Sequence, residues 1–188
     1  MKSKRLLKLA RPFDLMATKT VLQLNPTVAP KRTEPENTLI SVFDYNSAQV
    51  TYEEISEIKE CYKFLGSSNV SWINFDGLKK SDVENICNHF GIHPLIQEDI
   101  LSSGQRPKMD DLNNLLFCLL NMLYFNEETS GVESEQVSIV LGANFVLCFQ
   151  EDASRDVFNS ISEKIKVAGS KLRISGPDYL FYTLIDMI

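Results

Sequence analysis

The sequence predicts an α/β fold. Three observations carry that expectation: several short runs rich in β-branched and aromatic residues, stretches of 3.6-residue apolar periodicity between them, and an ordinary globular composition of 44% apolar and 23% charged residues over 188 positions. A chain of this length supports one sizeable core. The longest apolar run, Leu115 to Phe125, is interrupted by Asn121 and is well short of the ~20 residues that cross a bilayer, so the chain as it stands reads as soluble. The basic start, Met1 to Arg11, has Lys8 inside its apolar patch, which argues against a secretory signal and for an intracellular setting.

Taken in order, residues 1–37 hold Pro12, Pro26, Pro30 and Pro35 with little apolar periodicity and read as a poorly ordered basic leader. Leu39 to Phe43 is the first strand, Asn46-Ser47 a turn, and Ala48 to Tyr52 a returning strand. Glu54 to Leu65 then reads as a helix stopped by Gly66. Val70 to Phe75, which includes the single Trp72, is a strand closed by Asp76-Gly77. Ser81 and Glu84 have capping-box spacing, Val83, Ile86, Cys87 and Phe90 recur at helical intervals, and Gly91 supplies the stop. Pro94 opens a second helix through Leu101, because a first-turn position has no N–H bond to lose. Residues 102–104, Ser-Ser-Gly, end it.

Leu115 to Phe125 is apolar on all sides, which fits either a buried helix or a strand covered on both faces. The alternation from Glu135 to Leu141, a turn at Gly142-Ala143-Asn144 and the return from Phe145 to Phe149 make an antiparallel hairpin, and that neighbour favours the strand. Asp156 to Ala168 is helical, with Val157, Ile161 and Ile165 on one face. Gly176-Pro177 starts a last, mostly apolar helix that lacks any stop signal, so the pattern is expected to run on past Ile188.

Charge is unevenly placed. Residues 1–32 hold eight Lys/Arg against Asp14 alone, a balance of +7, which leaves 11 against 24, or −13, for residues 33–188. So acidic a body repels phosphate backbones and attracts cations, and no nucleic-acid partner is expected. Cys61, Cys87, Cys118 and Cys148 are widely spaced without a C-x-x-C pair and read as buried reduced thiols. His89 and His93 have the spacing of a zinc pair on one helix, but Gly91 and Pro94 break that helix, which favours structural or capping roles.

Glu98-Asp99 lies in an otherwise apolar turn beside Ile96, Ile100 and Leu101. Adjacent carboxylates diverge around a helix, so they make a poor acid–base pair on one substrate, yet each could hold a cation. A solvated acidic face is the other reading. Asp186 is the only charge between Tyr179 and Ile188, which marks it as an exposed stripe or a ligand. Phosphate-cradling glycine loops, G-x-S-x-G and H-E-x-x-H are absent, and no enzymatic activity is expected.

Trp72-Ile-Asn74 with Asp76-Gly77, His89 to Leu95, Glu98 to Leu101, Gln105 to Lys108, Glu133 to Ser138, Phe149 to Glu151, and Asp178 to Leu180 with Leu184 to Asp186 form a series. In order and spacing these segments resemble the CorA family of magnesium channels. The likeness is specific from about residue 70 to 188 and weaker from 38 to 69. It implies a mixed parallel/antiparallel sheet between helical layers (an αβα sandwich) over residues 38–176, with residues 177–188 beginning a helix that leads into a stalk helix. It further implies a homopentamer anchored in the cell inner membrane by a later segment, with this portion on the cytoplasmic side.

The same resemblance implies site residues. Asp99 matches the family aspartate that binds regulatory Mg2+ across the subunit interface, facing an acid of the neighbour's stalk; Glu98 and Asp186 match an adjacent second cation site. Co2+ or other divalent cations are further implied ligands. The family residue after Ile-Leu is commonly Asn, where this chain has Ser102. Two alternatives stay open beside the Mg2+ (Co2+) channel: a stand-alone interaction domain of the same fold, and the cytoplasmic domain of a zinc-transporting relative.

Overall fold

The computed structural model describes residues 34–36, 38–126, 130–151 and 157–188. Apart from Glu34 to Glu36, the expected leader lies outside the described residues, as does Asp156, the expected start of the fourth helical segment.

Among the described residues seven strands form one sheet: β1 (Leu39–Tyr45), β2 (Val50–Ile55), β3 (Val70–Asp76), β4 (Lys108–Leu112), β5 (Leu115–Asn126), β6 (Gly131–Leu141) and β7 (Phe145–Gln150). Their spatial order is β2-β1-β3-β7-β6-β5-β4. Only β3 and β7 run parallel, with Ile73 opposite Leu147; every other neighbour is antiparallel. The parallel pair sits at the centre, where both faces are covered, and its side chains are accordingly almost all buried. The helices are α1 (Lys80–His89), α2 (Pro94–Leu101), α3 (Asn159–Lys166), α4 (Lys171–Ile174) and α5 (Pro177–Asp186), with a 3-10 helix at Ile58–Phe64.

Strand alternation splits the core in two. Ile40, Val42, Ile73, Phe75, Phe117, Leu119, Val140, Leu147 and Phe149 face one side, where the 3-10 helix, α1 and α2 bring Phe64, Ile86, Ile96 and Ile100. Phe43, Trp72, Cys118, Val137, Ile139, Val146 and Cys148 face the other, where α3, α4 and α5 bring Ile161, Ile165, Leu172, Leu180, Phe181 and Leu184. The mixed sheet between two helical layers is therefore the architecture, as expected. All four cysteines are buried free thiols.

Local expectations fare unevenly. Gly77 and Gly91 are left-handed (φ +84° and +68°) where stops were expected. The helix expected over Glu54–Leu65 is not formed: Glu53, Glu54 and Ile55 pair with Val42, Ser41 and Ile40, so β2 extends through Ile55 and the rest is a short 3-10 turn. Cross-strand pairing overrode helical propensity there. The capping box is displaced as well. Ser81 lies inside α1, whose N-cap is Lys79; the main-chain N–H groups of Lys79 and Lys80 instead go to Thr38 Oγ1 (3.3 Å) and Glu34 Oε1 (2.7 Å). Strand β5 is buried on both faces only in its first half, since Leu123 and Phe125 are 68% and 63% exposed on the part that outruns β4. Strand β4 and helix α4 were not foreseen.

Candidate metal site

Helix α2 begins where its sequence says it should. Pro94 holds the first turn, and His93, at the N-cap, accepts a hydrogen bond on Nδ1 from the Leu95 N–H at 3.2 Å. His89 stacks on Tyr62 at 3.8 Å between ring centroids with planes 6° apart. Both histidines thus have structural work, in line with the expected capping or packing roles.

Ile96 and Ile100 anchor α2 to the sheet, so the face between them and solvent carries Glu98 and Asp99. Glu98 is exposed; Asp99 is partly sheltered. The Asp99 carboxylate meets Lys108, the first residue of β4, with Nζ 2.5 Å from Oδ2. Lys108 also lies 3.7 Å from Asp110 Oδ2. The hydrogen bond to Asp99 is the main cause that holds the Lys108 ammonium above its ordinary pKa, with the charges of Asp99 and Asp110 adding to it. Leu95, Ile96, Glu98, Asp99, Lys108, Asp110, Asp111 and Leu112 line an open cavity of about 410 Å³. Of the four carboxylates in that lining, those of Asp99 and Asp110 lie within 4 Å of the Lys108 ammonium.

The far end of α2 is held from below. Helix termini leave carbonyls without intrahelical donors, and the Asp99 carbonyl takes its proton from Gln136 Nε2 at 3.1 Å. Gln136 is buried in β6; its Oε1 accepts from the Gln105 N–H (3.4 Å), and the Gln105 carbonyl accepts from Asn121 Nδ2 (3.2 Å). Its own N–H goes to Glu151 Oε2 at 3.2 Å. The position of Asp99 is therefore fixed by strands β5 and β6.

Glu98 and Asp99 share the cavity rim, whereas Asp186 is exposed at the end of α5, whose apolar face packs in the other core. Within one chain the sheet separates Asp186 from the other two. Among the described residues no group of three or more His, Cys, Asp or Glu side chains converges closely enough to hold a metal alone. Lys108, Asp110 and Asp111 were missed because β4 was missed. The available signal was Asn113-Asn114, both left-handed (φ 56° and 62°), ahead of an apolar run: a two-residue hairpin turn.

The donor type in this cavity is the one that hard divalent cations take. Its described lining offers carboxylate oxygens and no His or Cys, and Mg2+ keeps several waters and asks for only one or two carboxylates from each side. Among the described residues no helix is long and apolar enough to cross a membrane.

Residues 67–188 match the family model described as CorA-like Mg2+ transporter protein. The cobalt/magnesium transport protein CorA of Thermotoga maritima is 37% identical over 150 residues, which cover 79% of this chain and 42% of that protein. The chain thus spans less than half the length of this curated relative. The soluble domain of CorA from Methanocaldococcus jannaschii shares the fold with a TM-score of 0.53 at 14% identity, over 79% of this chain and 54% of that one. The ZntB cytoplasmic domain from Vibrio parahaemolyticus does so with a TM-score of 0.55 at 12% identity, over 80% of this chain and 57% of that one.

Proposed function

The chain belongs to the CorA-like Mg2+ transporter family, and on that premise we propose that it is the cytoplasmic, divalent-cation-sensing portion of a Mg2+ (Co2+) channel. The observation that carries this reading is the cavity around Asp99, which is lined by carboxylates from α2 and β4 with no soft ligand among the lining residues. In this reading residues 38–176 are the sensing body and residues 177–188 begin the helix that leads toward a stalk and an inner-membrane segment. Five such subunits surround the pore.

Asp99 binds Mg2+ at the subunit boundary, completed by an acid of the neighbouring stalk, and Glu98 with Asp186 form the second cation site. The separation of Asp186 from Glu98 within one chain agrees with a site built between chains. Unscreened carboxylates about 4 Å apart repel by roughly 1–4 kcal/mol depending on the effective dielectric. Bound Mg2+ replaces that repulsion with a bridge and favours the closed ring; its loss frees the subunits to move.

The test is Mg2+ protection of the full-length protein from protease, together with Mg2+, Co2+ and Zn2+ uptake into vesicles containing it. Asp99→Asn should abolish Mg2+ protection while leaving the protein folded. Protection unchanged in that variant rules out Asp99 as the sensor, and uptake of Zn2+ alone rules out the Mg2+ assignment.

A further inference from the structure

Asp99 is not a bare carboxylate awaiting a metal. Lys108 Nζ lies 2.5 Å from Oδ2, and the side-chain exposures, 16% for Asp99 against 35% for Lys108 and 50% for Asp110, put the ion pair at the sheltered end of the cavity and Asp110 at its open end. The same ammonium is already 3.7 Å from Asp110 Oδ2. A divalent ion on the Asp99 carboxylate with Lys108 in place would suffer a repulsion of at least about 2 kcal/mol at 4 Å even in bulk water, and several times that in a sheltered site. Ammonium and metal cannot share that carboxylate comfortably. Lys108 stands at the start of edge strand β4 on a flexible four-carbon stem, whereas Asp99 is held from beneath through its carbonyl by Gln136. Of the two partners, the lysine is the one able to move.

We propose that Lys108 is a tethered counter-cation that competes with Mg2+ for Asp99 and swings to Asp110 when the ion binds, so that it sets the Mg2+ concentration at which the site loads. This rests on the reading of Asp99 as the sensor and adds its regulation. Two consequences follow. In the metal-free site the charge of Asp99 is offset from within its own subunit, so the low-Mg2+ state carries less repulsion between subunits than bare carboxylates would. Loading also becomes an exchange of one cation for another, which moves the sensing range toward higher Mg2+ than Asp99 alone would give.

The experiment is the Mg2+ midpoint of protease protection in the full-length protein, measured for wild type, Lys108→Gln, Lys108→Arg and Asp99→Asn, with thermal unfolding in Mg2+-free buffer confirming that each variant is folded. Removing the competitor in Lys108→Gln is expected to lower the midpoint about tenfold, the equivalent of about 1.4 kcal/mol. Lys108→Arg keeps the charge and grips the carboxylate with a planar fork, so its midpoint should equal or exceed that of wild type. A midpoint unchanged or raised in Lys108→Gln, or lowered in Lys108→Arg, overturns the competitor role while Asp99→Asn still abolishes protection. Wild-type protection in Asp99→Asn instead overturns the assignment of Asp99 itself.

Discussion

Gln136 Nε2 donates to the main-chain carbonyl of Asp99 at 3.1 Å, so a buried amide of β6 supplies the donor that the last turn of α2 lacks. The same side chain receives the Gln105 N–H on its oxygen. It therefore couples the end of the helix, the following loop and the sheet at one point. Losing such a buried bond costs about 1–3 kcal/mol, because the partner is left without a replacement.

Gln136→Met should accordingly destabilise the fold by about 1–3 kcal/mol in urea titration. Amide hydrogen exchange at Ile100, Leu101 and Ser102 should speed up by more than the global loss explains. Gln136→Glu should be worse, since a carboxylate cannot donate to the Asp99 carbonyl and would set a negative charge against that carbonyl oxygen in a buried place. An unaltered exchange rate in α2 would mean that packing of Ile96 and Ile100 alone places Asp99.

The N-cap of α2 gives a second expectation. His93 Nδ1 accepts from the Leu95 N–H, so His93→Ala should lose about 1 kcal/mol, within the usual 0.5–2 kcal/mol for a lost cap. His93→Asn should keep or exceed wild-type stability, because asparagine is among the strongest N-caps. Equal stability of the alanine and asparagine variants would leave the cap without energetic weight.

The thiols make a third. Cys61 and Cys87 are 0% exposed, and burial pushes each thiol up to about 12; burial also raises Cys118. With thiolate suppressed and access blocked, the native protein should resist iodoacetamide at pH 8 and react at all four cysteines in denaturant. The folded values exceed the unfolded ones, so the folded state binds more protons between about pH 9 and 12. Stability is unaffected by these groups below pH 9 and should fall as pH rises through that window. Fast labelling of native Cys87 at pH 8 would contradict the burial.

Much of this was legible in the sequence, for identifiable reasons. Strands β1, β3 and β7 announce themselves because short apolar runs rich in β-branched and aromatic residues, with Val42, Ile73 and Val146 among them, are what burial on two faces requires. Helix α2 is marked by Pro94, whose missing N–H suits one position only. What stayed hidden depends on partners far along the chain. Nothing local makes Glu53-Glu54-Ile55 a strand; β1 does so by pairing with it. Strand β4, Lys-Met-Asp-Asp-Leu, is too polar to read as sheet and exists because β5 offers it an edge. The acids at positions 98 and 99 could be singled out by their apolar setting, but Lys108 reaches Asp99 only through the hairpin at Asn113-Asn114.

Arg173 offers a test on the opposite face of the sheet. It is 3% exposed, and its guanidinium donates from Nε to the Asn46 carbonyl (2.8 Å) and from Nη1 to the Ile165 carbonyl (3.3 Å). It thereby ties α3 and α4 to the β1–β2 turn. Burial holds the nearby Tyr45 hydroxyl well above its ordinary value, while the charge of Arg173 pulls the other way. Arg173→Met fills the volume but strips both carbonyls of their donor, and should cost about 2–4 kcal/mol. Arg173→Lys keeps the charge without the fork and should fall between. Because the Asp99 cavity lies across the sheet, the folded fraction of either variant should keep the wild-type Mg2+ midpoint. Loss of less than about 0.5 kcal/mol in Arg173→Met, a surface-like effect, would show that apolar packing of Leu172 and Ile165 holds this layer and that the guanidinium is incidental.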